Sequence, residues 1–250
     1  MRYGLGCILP EEKKYVEKYL FSRLGLEFGL QREWALPYPY ILREYYDQGE
    51  TNACVGYACS WMTSINNIPK PFREENPQAF KYDAEWLYTE ARYADEDINN
   101  NPPNDFGAYI YAAMHVLRTM GHVKIATTGS QKPNINAGIQ NYYWCSIIPE
   151  MKTALALSRA IVFGINWYEE FMTPIYKYGR WWIGESNNWG KALGGHAICG
   201  FAYSDMLEGF KLTNSWGKLY PAVWISYKSI ERLMQECGEV CVAVDNPKIA

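Results

Sequence analysis

The chain has 250 residues, with 24 Lys and Arg against 27 Asp and Glu, for a net charge of −3. That length allows one large domain or two closely packed halves around a substantial core. The charge gives no electrostatic case for nucleic acid or an anionic membrane, and the basic residues form no stripe among aromatics.

No apolar run is long enough to span a membrane; the best, 154–167, is broken by Ser158 and Arg159. Residues 5–9 are too short for a signal peptide and run into Glu11, Glu12, Lys13 and Lys14. A soluble, cytoplasmic protein without an export signal is expected. The seven cysteines (Cys7, Cys54, Cys59, Cys145, Cys199, Cys237 and Cys241) are odd in number and fit neither zinc nor redox spacing. Most read as buried thiols, with Cys237 and Cys241 on one face of a late strand. No metal and no cofactor are expected. Ten Trp, 21 Tyr and 9 Phe make the chain 16% aromatic. A Tyr-rich core and cleft rim accounts for them, with an aromatic surface for protein assembly as the alternative.

In chain order, 11–24 reads as a helix after Pro10, with Tyr15, Val16, Tyr19, Leu20 and Leu24 on one face. Prolines 37 and 39 hold 36–46 extended. A helix from Cys54 to about Asn66 is apolar around most of its circumference and should be central; Pro69 and Pro71 end it. Further helices are expected at 83–94, capped by Asp83, and at 107–120, stopped by Gly121. Residues 126–141 lack apolar periodicity and read as a surface connection. A helix at 149–157 feeds a strand at 161–167. Strands follow at 181–184, 195–203, 209–214 and 221–227, then a helix at 228–236 and a strand at 239–244. Helices first and strands later indicate an α+β protein.

Three separated stretches carry chemistry: Asp47-Gln48-Gly49 leading to Cys54, then Gly194-Gly195-His196, then Asn214-Ser215-Trp216-Gly217. A thiol at the entry to a helix faces unpaired N–H groups, which favours the thiolate. An imidazole can take the thiol proton, an amide can fix the imidazole, and a second amide can stabilise an oxyanion. His115, within a helical pattern, and His122, after Gly121, read as solvated or structural.

This order of motifs resembles that of papain-like cysteine peptidases, across roughly 40–245, and Cys54-Val55-Gly56-Tyr57-Ala58 looks most like their bacterial and phage branch. His196 follows Cys54 by about 140 residues, as in such peptidases; Asn214 lies 18 beyond His196, slightly more than usual. The resemblance implies a helical left lobe, 41–130, carrying the nucleophile. It also implies a barrel-like right lobe, 131–250, carrying His and Asn, with the cleft between them and an N-terminal arm over 1–40. It implies a peptide or protein substrate, with Cys54 as nucleophile at a lowered thiol pKa, His196 as base, Asn214 as its orienter under Trp216, and Gln48 as oxyanion donor. Gly195 would face the peptide bond to be cut, Gly107 and Phe106 would border the unprimed side, and Trp216 would floor the primed side. The arm is much shorter than the family's inhibitory prosegments, which argues against control by prosegment removal. Thr51 stands where secreted relatives carry a disulfide cysteine, Val55 where many have Trp, and Lys218-Leu219-Tyr220-Pro221 replaces a second Trp-Gly. Alternatives sharing these residues are a transamidase, deamidase or cell-wall amidase, or a non-catalytic module of a phage particle, which would make the protein virion-associated.

Overall fold

The computed structural model describes residues 3–10, 20–24, 33–35, 45–66, 81–95, 106–125, 132–158 and 160–244. Its helices are α1 (Cys54–Asn66), α2 (Ala84–Ala94), α3 (Ile110–Thr119), α4 (Ile148–Ser158) and α5 (Tyr227–Gln235). Its strands are β1 (Glu33–Ala35), β2 (Asn141–Trp144), β3 (Ile161–Tyr168), β4 (Ile175–Lys177), β5 (Arg180–Ile183), β6 (Ala192–Ser204), β7 (Gly209–Thr213), β8 (Val223–Ser226) and β9 (Glu239–Val244).

The strands form one sheet in the order β2-β9-β3-β6-β7-β8-β5-β4, with β1 added to β6. Among the described residues the two ends of this order do not pair. The α+β class therefore holds, but the barrel-like sheet expected for the second half does not close. β6 supplies the reason it stays one sheet: at 13 residues it pairs with β3 and then β1 along one edge and with β7 along the other.

Alternation along β3 and β6 separates two cores. Val162, Ala197, Cys199 and Phe201 face the helical layer of α1, α2 and α3. Ile161, Phe163, Ile165, Trp167 and Ile198 face α4, α5 and the inner side of β7 and β8. This is the period-2 division expected of a strand buried on both sides. Helix α1 lies in the first core with every residue from Cys54 to Ile65 buried, as its all-round apolarity predicts. Gly56 lets α2 approach: a Cβ there would stand 2.3 Å from the Ala84 carbonyl oxygen. The Asp83 side chain accepts the Trp86 N–H at 3.0 Å, capping α2 as expected.

Several expectations shift. Helix α3 starts at Ile110 rather than 107, because Gly107 takes φ 101°, outside the helical region, and Ala108 pairs with residues 6–8. Strands β1, β2 and β4 were not anticipated; each has only three or four residues, too few to display alternation. Strand β8 begins two residues after Pro221, which has no N–H to give a ladder. Cys237 sits in the turn after α5 at φ 65°, so it does not share a strand face with Cys241. Most of the helix expected at 11–24 falls outside the described residues, and 21–24 form a 3-10 turn. Residues 36–44 and 126–131 also lie outside them. Among the described residues no helix is long and apolar enough to cross a membrane.

Candidate active site

Cys54 opens α1 at the seam between the helical layer and the sheet, and its sulfur accepts the Ala197 N–H at 3.4 Å. The nucleophile candidate therefore touches the residue next to His196. His196 itself is buried and bound through Nε2 to Asn214 Oδ1 at 2.8 Å. The backbone N–H of Ser215 also points at Asn214 Oδ1, at 2.8 Å. That contact fixes the amide, since only the oxygen can accept an N–H. The His196 Nε2 must then carry its proton toward Asn214, leaving Nδ1 with a free lone pair. Nδ1 has no hydrogen-bond partner among the described residues.

Two indoles hold the ring: Trp216 lies against it with centroids 4.9 Å apart, and Trp167 meets it edge-on at 4.6 Å. Trp216 was anticipated in this place; Trp167 was not. Its only signal was an aromatic at the end of the strand at 161–167.

Gln48 is buried beside the same seam. Its Nε2 donates to the carbonyls of Thr51, at 2.8 Å, and Gly4, at 3.1 Å, while its Oε1 accepts the Ser215 hydroxyl at 2.6 Å. Ser215 thereby ties both amides together, to Asn214 through its N–H and to Gln48 through its side chain. The segment 46–48 is further pinned to the Asn214 loop, Gln48 N to Ser215 O at 2.8 Å and Gly217 N to Tyr46 O at 3.0 Å. The motif Asn-Ser-Trp-Gly thus joins the two ends of the site, a role of Ser215 that the sequence reading missed.

The N-terminal residues occupy the cleft. Gly6 N–H donates to Cys54 Sγ at 3.3 Å. Cys7 N–H donates to the Gly195 carbonyl at 3.1 Å on one wall. On the other wall, Ala108 N donates to Gly6 O at 2.8 Å and Ile8 N to Ala108 O at 3.0 Å. Tyr3 stacks on Trp216 with ring centroids 4.3 Å apart and planes 9° from parallel. The segment is seated backbone to backbone: a Cβ on Gly4 would stand 1.7 Å from Thr51 O, and one on Gly6 1.9 Å from Asn52 O. On the walls, a Cβ on Gly195 would stand 2.0 Å from Cys7 O, and one on Gly107 2.1 Å from Gly6 O. Short as it is, the arm reaches the nucleophile, contrary to the expectation drawn from its length. The alternation Tyr3-Gly4-Leu5-Gly6-Cys7, glycine on one face of an extended run, was the available signal.

Burial under this arm reverses the expected acidity of the thiol. Cys54 and His196 are both inaccessible to solvent. Desolvation pushes the Cys54 thiol up to about 11, outweighing the N–H groups of Ala197 and Gly6 that favour thiolate. Burial pulls His196 down to about 4 despite the Asn214 contact. The covered pair is neutral thiol and neutral imidazole rather than an ion pair.

The remaining sites sort plainly. Gly195, Gly107 and Trp216 border the arm, whereas Phe106 is largely exposed. His115 is on the exposed side of α3. His122 is buried with Ser60 Oγ at 2.9 Å from Nε2 and the Val123 N–H on Nδ1, and burial lowers its pKa to about 3, a structural setting.

No protein-family profile and no curated sequence matches the chain. Solved structures do. It is similar to xylellain, a cysteine protease from Xylella fastidiosa, with TM-score 0.65 and 19% identity over 98% of this chain and 97% of that one. It is also similar to procathepsin B S9 from Trypanosoma congolense (TM-score 0.61, 13% identity, 97% and 87% covered). A digestive procathepsin L 3 from Tenebrio molitor larval midgut matches at TM-score 0.61 and 10% identity, with 97% and 74% covered. These matches span a bacterium, a protozoan and an insect and favour no branch. The chain has the fold of the papain-like cysteine proteases.

Proposed function

We propose that the protein is a cysteine peptidase whose site is covered by its own N-terminal arm. The observation that supports this best is the contact of Gln48 Nε2 with the Gly4 carbonyl while Gly6 N–H touches Cys54 Sγ. A stretch of peptide already threads between the candidate nucleophile and the candidate oxyanion donor.

With the arm displaced, solvent and the neighbouring imidazole lower the cost of a thiolate at Cys54. Its sulfur attacks the carbonyl carbon of the substrate, and the oxygen gains charge toward Gln48 Nε2. His196, having taken the thiol proton on Nδ1, gives it to the departing amine, leaving a thioester on Cys54. Water then adds to the thioester, its proton passing to His196, and the acid leaves as the thiol is restored. Asn214 keeps the ring in the tautomer that makes Nδ1 the base, and Ser215 holds Gln48 and Asn214 in one register.

Labelling with a thiol-directed epoxide tests this reading. Modification should fall on Cys54, be slow with the arm docked, speed up when the arm is loosened, and vanish in His196→Ala. Modification elsewhere, with Cys54 untouched in an arm-loosened variant that cleaves no peptide in a library, would overturn it.

A further inference from the structure

We propose that Trp167 is a positioning residue for the reaction, keeping the His196 ring turned so that Nδ1 serves Cys54. This rests on the cysteine-peptidase reading and deepens it by a residue that has no polar part in the chemistry. Ile165 is the cross-strand partner of His196, and Trp167, two residues on, is the partner of Gly194. His196 and Trp167 therefore share one face of the sheet as diagonal neighbours. Gly194 offers the indole no side chain to pack on, and the ladder slips between Trp167 and Tyr168, an irregularity that re-aims side chains. The indole meets His196 instead, edge-on at 4.6 Å with the planes 68° apart.

Asn214 by itself does not set the ring. It holds Nε2 at 2.8 Å, on the side of the imidazole away from Cβ. Rotation about the Cβ–Cγ bond therefore swings Nδ1 further than Nε2. The two indoles block that rotation. Trp216 lies along the imidazole with a tilt of 34°, and Trp167 stands at 81° to Trp216 with centroids 5.3 Å apart. A flat ring set in the corner of two others cannot turn without pressing on one of them. The corner is braced in turn. Phe171 meets Trp167 edge-on at 5.3 Å, and Tyr220 meets Trp216 at 4.9 Å while its hydroxyl donates to the Phe171 carbonyl at 2.7 Å. Core filling does not account for an indole at 167. Trp167 is fully buried and its Nε1–H has no acceptor among the described residues, a cost that a phenyl or isobutyl group would not bring to the same core.

The pH profile of the thiol separates positioning from packing. The background is the full chain with the arm loosened by Gly4→Ala and Gly6→Ala. Alkylation of Cys54 by iodoacetamide, located by peptide mapping, is followed over about pH 5 to 10. Beside a well-placed imidazolium the thiolate persists below the ordinary thiol value of about 8.5. Trp167→Leu should move that limb up by about one pH unit. It should also lower kcat for peptide hydrolysis about tenfold or more, with KM within about twofold. Trp167→Phe should move both the same way by less, and it decides the matter where Trp167→Leu does not fold. Phe163→Leu is the control: Phe163 is equally buried in the same core and packs on Phe210 at 5.6 Å. That change should lower the thermal midpoint yet leave the limb and kcat in place. An unmoved limb in the deciding Trp167 variant overturns the positioning role and leaves the peptidase reading standing. An equal shift in Phe163→Leu, or a loss carried by KM, overturns it as well. A background that shows an ordinary thiol limb and cleaves no peptide overturns the peptidase reading, and the role of Trp167 with it.

Discussion

Gln48 Nε2 stands 3.1 Å from the carbonyl oxygen of Gly4, the same donor that would serve a developing oxyanion. Its second contact, to Thr51 O at 2.8 Å, and the Ser215 hydroxyl on Oε1 leave the amide no freedom to flip. Such a fixed donor gains in the transition state because it needs no reorganisation. Gln48→Ala should lower kcat/KM for peptide hydrolysis by about 10²- to 10³-fold, some 3 to 4 kcal/mol. Steady-state kinetics on an arm-loosened background measures it; a change under twofold would remove Gln48 from the chemistry.

Ser215 bridges the two amides, so its hydroxyl carries a testable share of their alignment. Ser215→Ala removes the contact to Gln48 Oε1 but keeps the backbone N–H on Asn214. A drop of about tenfold in kcat with little change in KM is expected, since a misaligned donor affects the transition state more than binding. Ser215→Thr, which keeps the hydroxyl, should recover part of that rate.

The seating of Gly4 and Gly6 predicts how the arm can be loosened. A methyl group on either would press within 2 Å of a backbone carbonyl of the Thr51–Asn52 loop. Gly4→Ala and Gly6→Ala should therefore speed epoxide labelling of Cys54 by about tenfold or more, equal to a loss of at least 1.4 kcal/mol of docking. Unchanged labelling in both would show that the arm does not limit access.

Gly195 gives the complementary result, because its wall faces arm and substrate alike. Gly195→Ala would put a Cβ 2.0 Å from the Cys7 carbonyl. It should accelerate labelling by a small reagent yet depress peptide hydrolysis, by at least about tenfold in kcat/KM. Parallel assays with the epoxide and a peptide substrate separate the two effects. If both rise together, substrate backbone does not follow the path of the arm.

Acid should release the arm. His196 has its pKa lowered from 6.5 to about 4 while covered. The uncovered state binds the proton more readily, so docking is intact above about pH 6.5 and weakens as pH falls toward 4. His122, lowered to about 3, adds a loss of global stability over an overlapping range. Cys54, raised to about 11, acts at the other end: docking weakens as pH climbs past its ordinary value near 9. Labelling rates normalised to a free thiol, followed beside thermal unfolding from pH 7 to 4, check the acid limb. Because labelling itself needs the His196 imidazole, its share is read in unfolding: His196→Gln should lose the His196 component and keep that of His122.

How much of this was legible depends on whether the cause is local. Helices α1 and α2, the Asp83 cap and the Gly121 stop follow from periodicity and terminus chemistry within a dozen residues. The residues now gathered at the cleft, Gln48, Cys54, His196 and Asn214, were marked by spacing and by neighbours such as Gly195 and Trp216. What the sequence left out needed partners far along the chain. The arm is held by Gly107, Ala108 and Gly195, about 100 residues away or more, and nothing between Tyr3 and Pro10 names them. The acidity of Cys54 came out opposite in sign because desolvation depends on what covers a sulfur, and only tertiary packing supplies the cover. Openness of the sheet was likewise decided by which strand ends meet in space. Residue type and spacing determined which groups are available for chemistry; the folded chain decided that they are held, for now, against its own first residues.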